Sequence, residues 1–180
     1  PESNTIQQQA STIADVDCWQ LSIPQELQAQ WQQTVDLLAR VTNAPLVMLS
    51  AHNGNSELRP IIRNTGCRKK LCRITEDSDS SPGFCQVVAT EQRELHLSDA
   101  SNHPDFGDSL LVKEGLVSYF GAPVCWPTGQ LYGAICILSD RPNAFPIQMQ
   151  RVVQQFRRMF EEDLEGLARE AGIPHLDQPL

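Results

Sequence analysis

Apolar residues are densest between Gly115 and Asp140, where two long apolar runs flank a tight turn at 126–130. Strand side chains alternate between two faces. In the first run Val117, Tyr119 and Cys125 fall on one side and Phe120, Ala122 and Val124 on the other. In the second, Leu131, Ile135 and Ile137 oppose Tyr132, Ala134, Cys136 and Leu138. Neither face is polar enough for water, so the hairpin is predicted in the middle of an antiparallel sheet with a cover on each side. Pro123 conflicts with that place, because proline has no ladder donor to give. Two readings stand: a bulge or an opening toward a cavity, helped by the small Gly121 and Ala122, or a simple irregularity near a strand end.

Helical spacing marks both ends of the chain. Ser22 and Pro24 open a helix that runs to about Asn43, with Leu27, Trp31, Val35, Leu38 and Val41 as its stripe. A longer helix runs from about Pro146 to Ala171 on Met149, Val152, Val153, Phe156, Phe160, Leu164 and Leu167, with Ile147 and Met159 at the margin. Two such helices are expected side by side on one face of the sheet. Their surplus apolar surface either pairs with a second copy or packs on the N-terminal tail around Trp19 and Leu21.

Between them, 46–50 reads as a strand, His52-Asn53-Gly54-Asn55 as a hairpin turn, and Leu58, Ile61 and Ile62 as a more exposed strand. Residues 64–80 read as a polar, irregular excursion ending in an acidic, serine-rich stretch. Ser81-Pro82 starts a short helix that buries Phe84, Val87 and Val88. A strand-like run at 93–97, a turn-rich segment at 98–106 and one helical turn at 110–112 lead back to the hairpin. The expected organisation is a polar tail over 1–22, one domain over 23–171 and a tail or linker over 172–180.

Composition narrows the function. A net charge of −8 and a pI near 4.9 argue against nucleic-acid and anionic-membrane partners. The one basic cluster, Arg68-Lys69-Lys70 with Arg73, is too short to reverse this. No apolar run reaches the ~20 residues of a spanning helix, and no signal-peptide pattern opens the chain, so a cytoplasmic protein is expected. The chain begins with Pro rather than Met, as either a piece of a longer protein or a processed chain would. Six cysteines in 180 residues are too few for a disulfide scaffold. Cys85, Cys125 and Cys136 lie in apolar patterns where a thiol behaves as a small hydrophobe. Cys67 and Cys72 lack the spacing and nearby histidines of a metal site, and no metal is expected. His96 and His103 are read as surface or hydrogen-bonded residues rather than ligands.

The order of elements, with Phe84-Cys85-Gln86-Val87-Val88-Ala89-Thr90, Leu95-His96-Leu97-Ser98-Asp99-Ala100, His103-Pro104-Asp105-Phe106, Gly115 to Val124 and Leu131 to Leu138, resembles the GAF domain over roughly Pro24 to Leu167. Pro123 falls where that family often has proline. The resemblance implies an α+β fold: a roughly six-stranded antiparallel sheet, terminal helices on one face and a pocket on the other, walled by residues of about 64–115. It also implies a homodimer through the terminal helices and an attached output domain of the diguanylate cyclase (GGDEF), histidine kinase or phosphodiesterase kind, most like the bacterial signalling type.

The Asn-Lys-Phe-Asp-Glu signature of cyclic-nucleotide GAF domains and the Asp-Ile-Pro segment of bilin-binding ones are missing from the sequence. Free methionine-R-sulfoxide reductases are similar in having Cys85, but 100–115 lacks the cysteine expected to attack, leaving Cys67 or Cys72 as a rearranged partner. The leading expectation is a non-catalytic sensory module that binds an unidentified small molecule or mediates dimerisation, cofactor unknown. Phe84, Cys85, Asp99, Ser101, Asp105, Phe106, Ser118 and Phe120 are expected to face its cavity, aromatics as walls and polar groups as orienting contacts.

Overall fold

The hairpin predicted at the centre of the sheet is there, with both faces covered. The computed structural model describes residues 18–52, 54, 57–77 and 83–173. Strands β1 (Leu46–His52), β2 (Leu58–Arg63), β3 (Leu95–Leu97), β4 (Ser118–Cys125) and β5 (Leu131–Ser139) form one antiparallel sheet in the order β2-β1-β5-β4-β3. All 9 residues of β5 are buried, as is β4 up to its last residue.

Helix α1 (Gln25–Thr42) starts behind Pro24, whose fixed φ suits a helix entry, and stops at Asn43 in the left-handed region with φ 53. Helix α5 (Ile147–Glu170) starts behind Pro146. Both lie on one face: Trp31, Val35 and Leu38 share a core with Val153, Phe160, Leu164 and Ala168 over Val47, Leu49, Phe120, Ala122, Val124, Ile135 and Ile137. Trp31 is the junction. Its indole stands edge-on to Phe160 at 5.4 Å and to Tyr132 at 5.7 Å, and its Nε1 donates to Asp163 Oδ2 at 2.8 Å. Val41 departs from the expected stripe: it is 49% exposed, and Thr42 beside it takes the buried position. Leu21 packs on this core and Cys18 is buried in it, while the rest of the predicted N-terminal tail, residues 1–17, lies outside the described residues.

The opposite face is covered by α3 (Gly83–Glu91), the one-turn α4 (Leu110–Lys113) and the turns at 98–109, which pack Phe84, Cys85, Val88, Phe106 and Leu111 on Leu46, Met48, Tyr119, Ala134, Cys136 and Leu138. The excursion at 64–80 is not wholly irregular, because Lys69–Asp77 forms helix α2. Its fully described apolar anchor is Leu71, 4% exposed, too little periodicity for a pattern to reveal. The start of α2 is tied down from outside, by Arg68 to Asp140 at 2.9 Å and Lys70 to Glu114 at 2.5 Å. Of the predicted turn at 52–55, residues 53 and 55 lie outside the described residues, as do 78–80 of the acidic stretch at 76–80, the Ser81-Pro82 start and 174–180 of the C-terminal tail.

The sheet has five strands among the described residues, not six, since the chain between β2 and β4 is spent on helices and turns with one short strand. Two other expectations shift within the hairpin. Pro123 pairs with Ala134 in unbroken register, and pairing to β3 has already ended at Gly121, so the missing donor takes nothing from β3. The irregularity comes one step later: Val124 faces Gly133 and Cys125 faces Leu131, leaving Tyr132 as the extra residue. That bulge reverses the predicted sides of the first two β5 residues, sending Tyr132 to the helix side and Leu131 to the other.

Gly133 lies where a Cβ would fall 1.8 Å from the Ser50 carbonyl oxygen, and Gly121 where one would fall 2.1 Å from the Tyr119 hydroxyl. Gly121→Ala is expected to cost about 1–3 kcal/mol by overpacking. Gly133→Ala meets backbone rather than a side-chain tip and is expected to cost more; urea unfolding of both variants checks the order. Asp163→Ala leaves the Trp31 N–H without its acceptor and is expected to lose about 1–3 kcal/mol, with Asp163→Asn closer to wild type in the same measurement.

Candidate functional site

A row of rings runs inward from the surface turns to the sheet. His103 stacks on Phe106 at 4.8 Å, Phe106 lies 4.9 Å from Phe84, and Phe84 lies 5.0 Å from Tyr119. The turns that carry it are held by local chemistry. Asp99 Oδ1 accepts from the Ser101 N–H at 2.9 Å and from its hydroxyl at 2.6 Å, and those bonds hold the Asp99 carboxyl below its ordinary value. His103 Nδ1 accepts from the Asp105 N–H at 3.2 Å.

The row ends on two thiols. Cys85, on the inner side of α3, and Cys136, in the middle of β5, are fully buried with sulfurs 3.1 Å apart. The Tyr119 hydroxyl donates to Cys85 Sγ at 3.4 Å, and the Cys136 thiol donates to the Met48 carbonyl at 3.7 Å. Gly121 makes this possible, since the Tyr119 ring lies over it. The contact with Cys136, then the hydrogen bond from Tyr119, lowers the Cys85 pKa against the opposing effect of burial. Its hydrogen bond to Cys85, together with burial, pushes the Cys136 thiol up, and burial raises the Tyr119 phenol. One sulfur of the pair thus carries charge more readily than the other. Among the surface cysteines, burial and the neighbouring Cys72 push Cys67 up to about 12.

The eight residues expected to face a cavity do not form one set. Phe84, Cys85 and Phe106 are packed together in the loop-side core. Asp99, Ser101 and Asp105 are exposed on the turns outside it. Ser118 is buried, and its hydroxyl donates to the Arg141 carbonyl at 2.7 Å, fastening the bend after β5. Phe120 is a correction: it faces the long helices, and Tyr119, its neighbour in the alternation, is the aromatic ring directed to the loop side. Tyr119 and Cys136 are the residues missed. Cys136 shares strand parity with Ala134 and Leu138, but its contact with Cys85 spans 51 residues of chain and needs the fold to be seen.

Among the described residues one groove on the loop side, of about 410 Å³, lies at the end of α3, between Gln86, Thr90 and Gln92 and the entry to β5 at Gln130 and Leu131, with His52 alongside. A second groove, of about 520 Å³, lies on the other side between α1 and the turn at Asn64–Gly66. Among the described residues no group of His, Cys, Asp and Glu is arranged to hold a metal, and no helix is long and apolar enough to cross a membrane.

A family model described as GAF domain matches residues 26–173, and the chain belongs to the GAF family. No curated protein matches the chain significantly. Among solved structures it is similar to GAF3 of a Synechocystis protein in its photoproduct state, at 14% identity and TM-score 0.67 over 83% of this chain and 99% of that one. It is similar also to a domain of a protein assigned as a two-component sensor histidine kinase from Sinorhizobium meliloti, at 14% identity and TM-score 0.64 over 83% and 98%. A third is free methionine-R-sulfoxide reductase from Neisseria meningitidis in complex with its substrate, at 16% identity and TM-score 0.62 over 89% and 86%. At these identities the likeness is one of fold.

The burial of the pair sets an order of thiol reactivity. In the native protein a bulky alkylating reagent is expected to modify Cys72, half-buried, well before the fully buried Cys85 and Cys136. Peptide mapping after timed labelling reads the order directly.

Proposed function

We propose that the chain is a non-catalytic regulatory GAF module that binds a small molecule on its loop-covered side, dimerises through its terminal helices and controls an attached output enzyme in bacterial signalling, such as a diguanylate cyclase or histidine kinase. The observation that carries the reading is the division of labour across the sheet. One side is a layer of short helices and turns with an open groove at its edge, and the other is two long helices joined at Trp31. A change in the loop layer reaches the helices through residues that alternate on the same strands, Tyr119 with Phe120 and Cys136 with Ile137. A ligand shifts the helices only as far as it binds two arrangements unequally. Leu37 and Val41 on α1 and Ile147 and Met159 on α5 are 44–52% exposed, which supports a second copy as their cover.

The sulfoxide-reductase reading needs a second cysteine within bonding reach of Cys85 and open to a substrate, and the cysteine beside Cys85 is Cys136, itself fully buried. A thermal-shift screen of nucleotides, amino acids and common metabolites is expected to find a stabilising compound. Purified protein with a dithiol reductant is expected to leave free methionine sulfoxide unreduced; turnover would hand the chain to the enzyme reading. Light scattering is expected to give a dimer, and a strict monomer at high concentration would remove that part of the proposal.

A further inference from the structure

We propose that Cys85 and Cys136 are a modification site, a dithiol that peroxide closes into a disulfide joining α3 to β5 inside the folded domain. The sulfurs are already 3.1 Å apart, about 1 Å beyond a ~2.05 Å disulfide bond. The hydrogen bonds assign the roles. Cys136 has the Met48 carbonyl to donate to, whereas Cys85 Sγ receives the Tyr119 hydroxyl, so of the two sulfurs Cys85 is the better placed to hold the thiolate. The lowered pKa of Cys85 agrees with that placement.

Cys85 thiolate attacks one peroxide oxygen; the O–O bond breaks, sulfur keeps that oxygen as a sulfenic acid, and the departing hydroxide takes up the thiol's proton to leave as water. Cys136 sulfur then attacks Cys85 sulfur, the S–O bond breaks, and the expelled hydroxide leaves as water with the Cys136 proton. Each sulfur gives up one electron and peroxide becomes two waters. A water-sized oxidant needs only a local opening of the loop layer, where a methionine sulfoxide would need a cavity. Cys67 and Cys72 are the competing pair, and they are more exposed. The raised pKa of Cys67 leaves it little thiolate at neutral pH.

The full chain is treated with hydrogen peroxide, alkylated under denaturing conditions without reductant, digested and mapped. The expected result is loss of two of the six thiols, a mass lower by two hydrogens, and a linked peptide pair containing Cys85 and Cys136 that a dithiol reductant separates. In Cys136→Ser the reaction stops one step earlier, and a sulfenic-acid trap such as dimedone labels Cys85. Six free thiols after excess peroxide, a linkage confined to Cys67 and Cys72, or Cys85 carried on to sulfinic acid in the wild type overturns the assignment. The wild-type map decides the matter even where Cys136→Ser fails to fold.

Discussion

Strand β5 leaves the chain no choice about its architecture. Every residue along it is buried, so water can wet neither face, and each face must be met by other apolar groups. Ile135 and Ile137 look toward Trp31 and Phe160; Ala134, Cys136 and Leu138 look toward Phe84 and its neighbours. Two covers of different kinds follow. The long helices supply continuous stripes and a joint at Trp31, whereas the other cover is assembled from short pieces that hold one another through turn bonds and ring contacts.

Much of this was legible in the residue pattern. A hairpin apolar on both sides has to be central, and two long amphipathic helices at the two ends of a domain have one broad face to share; both statements follow from periodicity alone. What escaped was local. A single extra residue, Tyr132, exchanges the sides of the first two positions of β5, and no alternation rule anticipates a bulge. The helix at Lys69–Asp77 is held by buried Leu71 and by ion pairs at its start to Asp140 and Glu114, partners distant in the chain.

The candidate site was legible to a lesser degree, for the same reason. Phe84, Cys85 and Phe106 sit in apolar surroundings that their neighbours in sequence announce. Whether Ser118 is free to orient a ligand depends on Arg141, and whether Cys85 is a lone small hydrophobe or half of a dithiol depends on Cys136, both distant in the chain. Phe120 and Tyr119 differ by one position and by a whole layer of the molecule, so choosing between them requires knowing which cover lies on which side.

The far end of β4 shows how such a sheet avoids unwanted company. Short β3 pairs only with Tyr119 to Gly121, and a border of backbone without a strand partner invites strands from other molecules. Pro123 has no hydrogen to offer there, and the Cys125 N–H is already claimed by Glu161 Oε1 of α5 at 3.0 Å. The residue that looked awkward for a central strand and a carboxylate reaching over from the helix layer together withhold the donors an invading strand would need, and so discourage chain-to-chain aggregation along this margin.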